Sequence, residues 1–213
     1  GMDKRGEINN LTKILKPDLG VITNISYAHA KNFKNLKQIA FAKSEIMNNI
    51  KEGGSIVLNA DDSFYDLFKK IAIKKKLNIY SFSIRKKNSN IKLNYIKKQK
   101  LKYKVSIQIG SKKKYFSVSS NYENFIKNML AAITVISTFK DVSKLNKNIF
   151  NDFQIPEGRG DISKIRINNK LINFIDESYN SNPMSVKSAI QNYDCIKNNL
   201  GKKILILGDM LEL

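Results

Sequence analysis

The sequence predicts an α/β protein. It should contain a mostly parallel sheet flanked by helices, a small antiparallel β insert, and then the start of a second α/β domain. Three features of the 213 residues support this prediction. Short apolar runs alternate with helical patterns over 6–84, apolar and polar residues alternate over 91–120, and a Pro-Gly break at 155–160 precedes a new strand and helix pattern.

The first half of the chain is predicted to consist of helices that connect buried strands. Apolar residues at helical spacing predict helices over 6–16 and 36–50, and Pro17 ends the first of them. Ser63 is a candidate cap for a third helix that runs to about Lys75. Uninterrupted apolar runs are typical of parallel strands buried on both faces, and they lie at 19–25, 55–59 and 78–84.

The second half begins with a different pattern. Three alternating stretches within 91–120 predict an antiparallel meander that is solvated on one side. Helices are expected over 124–139 and 143–153. After the break come strands at 163–167 and 170–175, a helix over 183–197 and a last buried strand at 203–207.

The break at 155–160 marks the domain boundary, so we expect domains over 1–153 and 154–213. A strand that ends near Gly208 should lead into a helix, and the chain stops at Leu213. We therefore expect this chain to be a fragment at its C-terminus.

The composition is strongly basic, with 38 Lys and Arg against 18 Asp and Glu, a net charge of +20. Only four of the 38 are arginine, the side chain that grips bases and phosphates with a planar fork. The lysines are spread along the chain, and Lys, Asn and Ile are abundant together, as an A/T-rich gene would encode. We expect no nucleic-acid partner, and no membrane partner because no apolar run is long enough to span a bilayer. One cysteine fits a reducing, cytoplasmic setting, and we expect a monomer.

Three segments place polar chemistry beside predicted elements. TNISYAH puts His29, the only histidine, just past a predicted strand, where ligand sites of open α/β sheets lie, although a loop histidine without a role would look the same. VLNADD ends in two carboxylates, Asp61 and Asp62, that suit a cation or a helix cap. DESYNSNP, over 176–183, suits hydrogen bonds to ribose and phosphate, or an elaborate helix cap.

Six segments in order, TNISYAH, AKSEI, VLNADD, PEGRGD, DESYNSNPMSV and ILGDMLEL, resemble the Mur ligases of peptidoglycan synthesis. Within that family the DESYNSNP and GDMLEL segments are most similar to the MurF branch. The resemblance implies an incomplete central ATPase domain followed by the beginning of a Rossmann-like C-terminal domain. It also implies that ATP activates a carboxylate as an acyl phosphate, which an amine then attacks. The substrates would be UDP-N-acetylmuramoyl-tripeptide and D-alanyl-D-alanine.

The resemblance also assigns roles to residues. His29 matches a magnesium ligand, and Lys43 matches a lysine whose carbamate helps hold Mg²⁺. A carbamate forms only from a neutral amine, so Lys43 would need a lowered pKa. The remaining matches are the positions that face ATP: Asn124, Arg159, Glu177, Tyr179, Asn180 and Asn182.

The sequence departs from the family pattern in several places. No G-x-x-x-x-G-K-[ST] loop occurs, and in the family this loop lies upstream of where the chain begins. Glu177 stands where the family usually has aspartate, and Asn124 matches the adenine position imperfectly. We therefore expect the fragment alone to lack ligase activity.

Three alternatives remain. The first is another amide ligase of the superfamily, such as a MurE-like or folylpolyglutamate-synthase-like enzyme. The second is a non-catalytic, basic nucleic-acid-binding module, whose most basic region would be 91–120. The third is a truncated pseudoenzyme.

Overall fold

The computed structural model describes residues 2–27, 32–86, 88–100, 102–151, 153, 155–179, 181–196 and 201–210. The chain forms two compact units. One contains residues 1–26 and 32–153, and the other contains residues 27–31 and 154–213. No helix within the described ranges combines the length and apolar character that crossing a membrane requires.

The first unit alternates helices and strands before it reaches the meander. Its elements are α1 (Glu7–Leu15), β1 (Leu19–Ile22), α2 (Leu36–Ser44), a 3-10 helix (Glu45–Asn49), β2 (Ser55–Asn59), α3 (Tyr65–Lys74), β3 (Asn78–Ser83), β4 (Ile91–Gln99), β5 (Lys102–Ile109), β6 (Lys112–Val118), α4 (Glu123–Ser137) and a 3-10 turn (Val142–Lys144).

Six strands form one sheet in the order β1-β2-β3-β4-β5-β6. The pairs from β1 to β4 are parallel, and β4, β5 and β6 pair antiparallel. Strands β3 and β4 overlap only at Phe82–Ile91 and Ser83–Lys92. This short overlap allows the connection 84–90 to replace the crossover of about a dozen residues that parallel strands usually need. The predicted fold class is confirmed, and the antiparallel part extends the main sheet.

Two hydrophobic clusters cover the two faces of this sheet. On β2, Ile56 and Leu58 belong to the cluster with α2 and α3, whereas Val57 points into the cluster with α4. All three side chains are fully buried. The alternation follows from the two-residue period of a strand, and the helices on both faces explain why the parallel strands are apolar throughout.

The second unit contains a hairpin and a helix. Its elements are β7 (Asp161–Ile167), β8 (Lys170–Asp176) and α5 (Pro183–Asp194). Asn168 and Asn169 form the hairpin turn with positive φ angles of 47° and 61°. A two-residue turn with both φ angles positive matches the twist of antiparallel strands, and asparagine adopts it readily.

The expected helix over 143–153 is wrong. Among the described residues of this range, the only helical turn is the 3-10 turn Val142–Lys144, and the residues up to 151 form bends and turns. The side chain of Asn146 accepts a hydrogen bond from the backbone N–H of Asn148 at 2.9 Å. Asparagine side chains that bond to the local backbone compete with helix formation, which explains the failure.

The expected buried strand at 203–207 is also wrong. Residues 201–210 contain no strand, and Ile204 and Ile206 are 73% and 87% exposed. In the described part of this unit, β8 pairs only with β7, so no neighbouring strand continues the ladder. The backbone N–H and carbonyl of Ile204 instead bond to the Tyr193 hydroxyl at 3.0 and 3.1 Å.

Candidate functional site

The amine of Lys43 lies at the carboxyl end of the first strand. Lys43 occupies the last turn of α2, whose neighbouring residues Ala40 and Ala42 are fully buried in the core. Its Nζ donates a hydrogen bond to the backbone carbonyl of Asn24 at 3.2 Å, and Asn24 lies just past β1. Ligand sites in open α/β sheets form at this edge, so the packing of α2 places the Lys43 amine where such sites occur.

Asn59 and Asp62 attach the end of β2 to the segment after β1. The Asn59 side chain donates to the carbonyl of Thr23 at 3.0 Å and accepts from the N–H of Asp61 at 2.9 Å. The Asp62 carboxylate accepts from the N–H of Ile25 at 2.8 Å and from the N–H of Phe64 at 2.9 Å. These bonds fix the position of the segment that receives Lys43.

The candidate cap of α3 is corrected by the same geometry. Helix α3 begins at Tyr65 without a side-chain cap bond at Phe64. Asp62, rather than Ser63, accepts a hydrogen bond from the backbone N–H of Phe64, the residue just before the helix. Aspartate is the better acceptor at this position because its charge also interacts favourably with the helix dipole.

The pKa of the Lys43 amine is lowered from its usual value. Burial is the main cause, because it penalises the charged ammonium form, and the Asp62 carboxylate opposes it. The neutral, nucleophilic amine is therefore more accessible at Lys43 than at an ordinary exposed lysine.

Asp61, the other carboxylate of VLNADD, organises the turn after β3. It accepts from the Ser83 hydroxyl at 2.7 Å and from the N–H of Ile84 at 2.6 Å, with Lys86 N–H at 3.1 Å. Burial alone would raise the pKa of Asp61, but these hydrogen bonds outweigh it and the pKa is lowered. Asp61 and Asp62 both accept hydrogen bonds from backbone N–H groups, as capping carboxylates do.

The turn held by Asp61 is linked to the start of α4 through the side chain of Arg85. Arg85 forms a two-pronged ion pair with Glu123 at 2.9 and 3.0 Å, and Lys127 contacts the same carboxylate at 2.7 Å. Asn124, a predicted nucleotide-facing residue, lies exposed in the first turn of this helix. The ion pairs therefore anchor the helix turn that carries Asn124.

Glu45 of AKSEI has a role that the sequence analysis missed. Its carboxylate accepts from the N–H of Gly6 at 2.9 and 3.0 Å and from the N–H of Asn9 at 3.2 Å. Gly6 is the N-cap residue of α1 and has no side chain to cap the helix. Glu45 thus caps α1 from a distant part of the chain, a contact that no local sequence signal reveals.

In the second unit, the loop 156–160 packs against residues 177–179. The guanidinium of Arg159 lies 4.2 Å from the centroid of the Tyr179 ring. Gly158 has a φ of 74°, and a Cβ there would lie 3.0 Å from the backbone N of Tyr179. Only glycine fits this close approach, so the PEGRGD glycine brings Arg159 and Tyr179 together.

Glu177 lies in the same cluster. The pKa of its carboxyl is raised, first by burial and then by the negative charges of Asp161 and Asp176. A Cβ on Gly160 would lie 2.9 Å from its Oε1, so this loop also confines the Glu177 side chain.

Asn182 acts as a helix cap. Its side chain accepts from the N–H groups of Met184 and Ser185 at 3.1 and 3.0 Å, and the Ser185 hydroxyl accepts from the N–H of Asn182 at 2.9 Å. This capping box, with Pro183 in the first turn of α5, matches the interpretation of the DESYNSNP segment as a helix cap. Two of the predicted site residues, His29 and Asn180, lie outside the described residues.

Comparison with known proteins identifies the family. The Mur ligase middle domain matches residues 1–136. The chain belongs to the Mur ligase family. Curated relatives of the chain include the UDP-N-acetylmuramoyl-tripeptide–D-alanyl-D-alanine ligases of Rickettsia prowazekii, 32% identical, and Buchnera aphidicola from Acyrthosiphon pisum, 34% identical. Both alignments cover 100% of this chain but only 46% and 45% of those Mur ligases, so the chain spans less than half of their length.

Solved Mur ligase structures share the fold. The UDP-N-acetylmuramoylalanyl-D-glutamyl-2,6-diaminopimelate–D-alanyl-D-alanyl ligase of Acinetobacter baumannii has a TM-score of 0.76 at 25% identity, covering 100% of this chain and 44% of that one. The MurF ligase of Thermotoga maritima, in complex with ADP, has a TM-score of 0.73 at 19% identity, covering 90% and 42%. These findings confirm the resemblance on which the sequence analysis relied.

Proposed function

We propose that this chain is the central part of an ATP-dependent amide ligase of peptidoglycan precursor synthesis. It would act in the cytoplasm and join D-alanyl-D-alanine to UDP-N-acetylmuramoyl-tripeptide, the reaction named for its curated relatives. Residues 1–153 would be most of the central ATPase domain, and residues 154–213 the beginning of the C-terminal domain. Family membership and the alignment of the whole chain with these relatives support this assignment.

The proposed reaction has two steps. A substrate carboxylate attacks the γ-phosphorus of ATP, ADP leaves, and an acyl phosphate forms. The amine of D-alanyl-D-alanine then attacks the acyl carbon, inorganic phosphate leaves, and the amine gives up its proton as the amide forms. A carboxylate is a poor electrophile, so phosphorylation supplies the leaving group, and positioned cations must balance the charge that develops on the phosphoryl oxygens.

One observation carries the proposal, namely the partly buried Lys43 amine with a lowered pKa at the carboxyl end of β1. A neutral lysine amine can attack carbon dioxide, forming an N–C bond and releasing a proton, which leaves an anionic carbamate. An ordinary exposed lysine is protonated at neutral pH and rarely reacts in this way. The environment of Lys43 thus suits the carbamate that the family resemblance assigns to it.

The residues that would hold Mg²⁺ are His29 and the carbamate of Lys43. Within the described residues, no three His, Cys, Asp or Glu side chains cluster as a metal site, and Asp61 and Asp62 bind backbone N–H groups instead. A carbamate on Lys43 would supply the oxygen ligand that Mg²⁺ prefers and that an amine lacks. Bound Mg²⁺ would neutralise phosphoryl charge.

The residues proposed to contact ATP are those that the family resemblance assigns. Asn124 would face the adenine, Arg159 the phosphates and Glu177 the ribose, with Tyr179, Asn180 and Asn182 in the adjoining loop. The packing of Arg159 on Tyr179 supports a prearranged cationic group in this set. No phosphate-cradling glycine loop occurs in these 213 residues, so we expect the chain alone to be inactive.

The test measures phosphate release from ATP by residues 1–213 alone and by a chimera in which they replace the matching part of the Rickettsia prowazekii relative. We expect release from the chimera only with both UDP-N-acetylmuramoyl-tripeptide and D-alanyl-D-alanine, and none from the chain alone. Lys43→Arg in the chimera should abolish most of the activity, whereas Lys37→Arg, on the exposed side of α2, should not. A chimera that accepts a single amino acid in place of the dipeptide would favour another ligase of the superfamily.

A further inference from the structure

The positive charge of the chain is concentrated in one stretch. Residues 67–122 contain 17 of the 38 Lys and Arg and none of the 18 Asp and Glu. The remaining residues carry 21 basic and 18 acidic side chains and are therefore nearly neutral. The even spread of lysines along the chain is thus misleading, because the basic residues of 67–122 have no acidic residues among them. That region contains all of β4, β5 and β6.

The two faces of the β4–β6 meander differ in character. Val105, Ile107 and Phe116 point toward α4 and are fully buried in its hydrophobic cluster. A bulge between Leu93 and Tyr95 shifts the alternation of β4. The opposite face carries six cationic and aromatic residues, which we term the lysine–tyrosine face: Lys92, Tyr95, Lys97, Lys104, Lys113 and Tyr115.

The strand register arranges this face in rows. Tyr95 and Tyr115 both lie beside Ser106, whose side chain is fully buried between the two outer strands. On one side of this row Lys97 pairs with Lys104, and on the other side Gln108 lies between Lys92 and Lys113. The two tyrosines are therefore bordered by lysines on both sides.

Nothing on this face neutralises its charge. Among the described residues, none of its four lysines forms an ion pair with a carboxylate. Lys104 instead lies 4.1 Å from the centroid of the Tyr115 ring, a cation–π contact. Tyr95 and Tyr115 are 46% and 39% exposed, so both side chains reach the solvent on this face.

We propose that the lysine–tyrosine face binds single-stranded nucleic acid. Unpaired bases would stack on Tyr95 and Tyr115, and the flanking lysines would contact the phosphates. A three-stranded face is broader than the helix or two-stranded ribbon that enters a major groove, and stacking requires bases that are free of their partners. The face has no exposed aliphatic side chain to insert into a bilayer. Lysine contacts a phosphate as a point charge, whereas arginine presents a rigid fork of donors. A lysine-rich face therefore suits binding that tolerates different base sequences.

Such binding would revise the expectation of no nucleic-acid partner, which rested on the scarcity of arginine and the spread of lysines along the chain. It is independent of the proposed ligase activity, because it uses none of the residues assigned to that reaction. The strand register brings together cations and aromatic rings that are separated in the sequence.

The test measures binding of a fluorescent oligouridine to residues 1–213 by anisotropy. Lys97→Glu with Lys113→Glu reverses two charges on the lysine–tyrosine face. The control, Lys98→Glu with Lys112→Glu, reverses the adjacent and equally exposed lysines on the opposite face. We expect the first pair to weaken binding by about tenfold or more and the control by about twofold, with a log–log salt slope near −3, about −0.7 for each lysine–phosphate contact.

A second pair, Tyr95→Thr with Tyr115→Thr, separates stacking from charge. It should weaken oligouridine binding by about tenfold and leave binding of inorganic polyphosphate unchanged. Equal losses in the two charge-reversal pairs, or no loss in the tyrosine pair, would overturn the proposal in favour of diffuse charge. Binding to phosphatidylserine vesicles without binding to oligouridine would overturn it in favour of a membrane. Circular dichroism verifies that each variant is folded. If a charge-reversal variant is unfolded, the same lysines are replaced by glutamine instead of glutamate.

Discussion

The Asp62 carboxylate accepts a hydrogen bond from the backbone N–H of Ile25 at 2.8 Å, joining the end of β2 to the segment after β1. The same carboxylate accepts from Phe64 at the start of α3 and opposes the lowering of the Lys43 pKa. One side chain therefore positions the edge of the sheet where Lys43 lies and influences the charge of its amine.

Asp62→Asn should destabilise the first unit. The Asp62 carboxylate accepts from two backbone N–H groups with its two oxygens, whereas an amide has one acceptor oxygen and no charge. We expect a loss of about 1–3 kcal/mol in the free energy of unfolding, measured in urea. Asp66→Asn removes the same charge from an exposed position in the first turn of α3 and should cost less than about 1 kcal/mol. Equal losses in the two variants would contradict the role given to Asp62.

Glu45→Gln should loosen α1, because the charged acceptor at its N-terminus is lost. The expected cost is about 1 kcal/mol, with faster hydrogen exchange at the backbone amides of Gly6 and Asn9. Glu52→Gln is the matched control, since Glu52 is exposed and lies outside any helix. Unchanged exchange at Gly6 and Asn9 in Glu45→Gln would rule out the capping interaction.

The lowered pKa of Asp61 predicts a pH dependence of stability. A carboxyl whose pKa is lower in the folded state stabilises the fold above its unfolded pKa, near 3.9, and this contribution disappears as the pH falls through the folded pKa. Asp61→Asn should therefore cost stability at about pH 7 and much less at about pH 2. Urea unfolding of both proteins at the two pH values provides the test, and a difference that does not change with pH would contradict it.

The raised pKa of Glu177 predicts the opposite dependence in the second unit. Its protonated form is favoured by folding, so its contribution is present below its unfolded pKa and is lost as the pH rises through the folded pKa. Glu177→Gln should leave stability at neutral pH unchanged or increase it. Side-chain NMR titration should find Glu177 protonating at a higher pH in the folded protein than in the protein unfolded by urea. The reverse order would show that burial and the two aspartates do not act as described.

The sequence predicted the elements whose signal is local. The apolar run at 55–59 is a strand with the predicted bounds, because helices cover both of its faces. The alternation over 91–120 predicted three antiparallel strands, since each strand buries one face. The candidate lysine could be predicted by resemblance, but its bond to Asn24 depends on tertiary packing.

Other features were missed or wrong because distant partners decide the outcome. Residues 203–207 have the composition of a buried strand, but a strand needs a neighbour with which to share its ladder. The cap of α1 comes from Glu45, which is far away in the sequence. The sequence indicated 91–120 as the most basic region but not which of its residues share the lysine–tyrosine face, because a bulge and two strand registers bring them together.

The proposed ligase function depends on a carbamate at Lys43, and carbon NMR in isotopically labelled bicarbonate detects such a carbamate. We expect a carbamate resonance in residues 1–213 that disappears in Lys43→Arg and persists in Lys37→Arg. The absence of a carbamate resonance, or a resonance that survives in Lys43→Arg, would contradict the role assigned to Lys43.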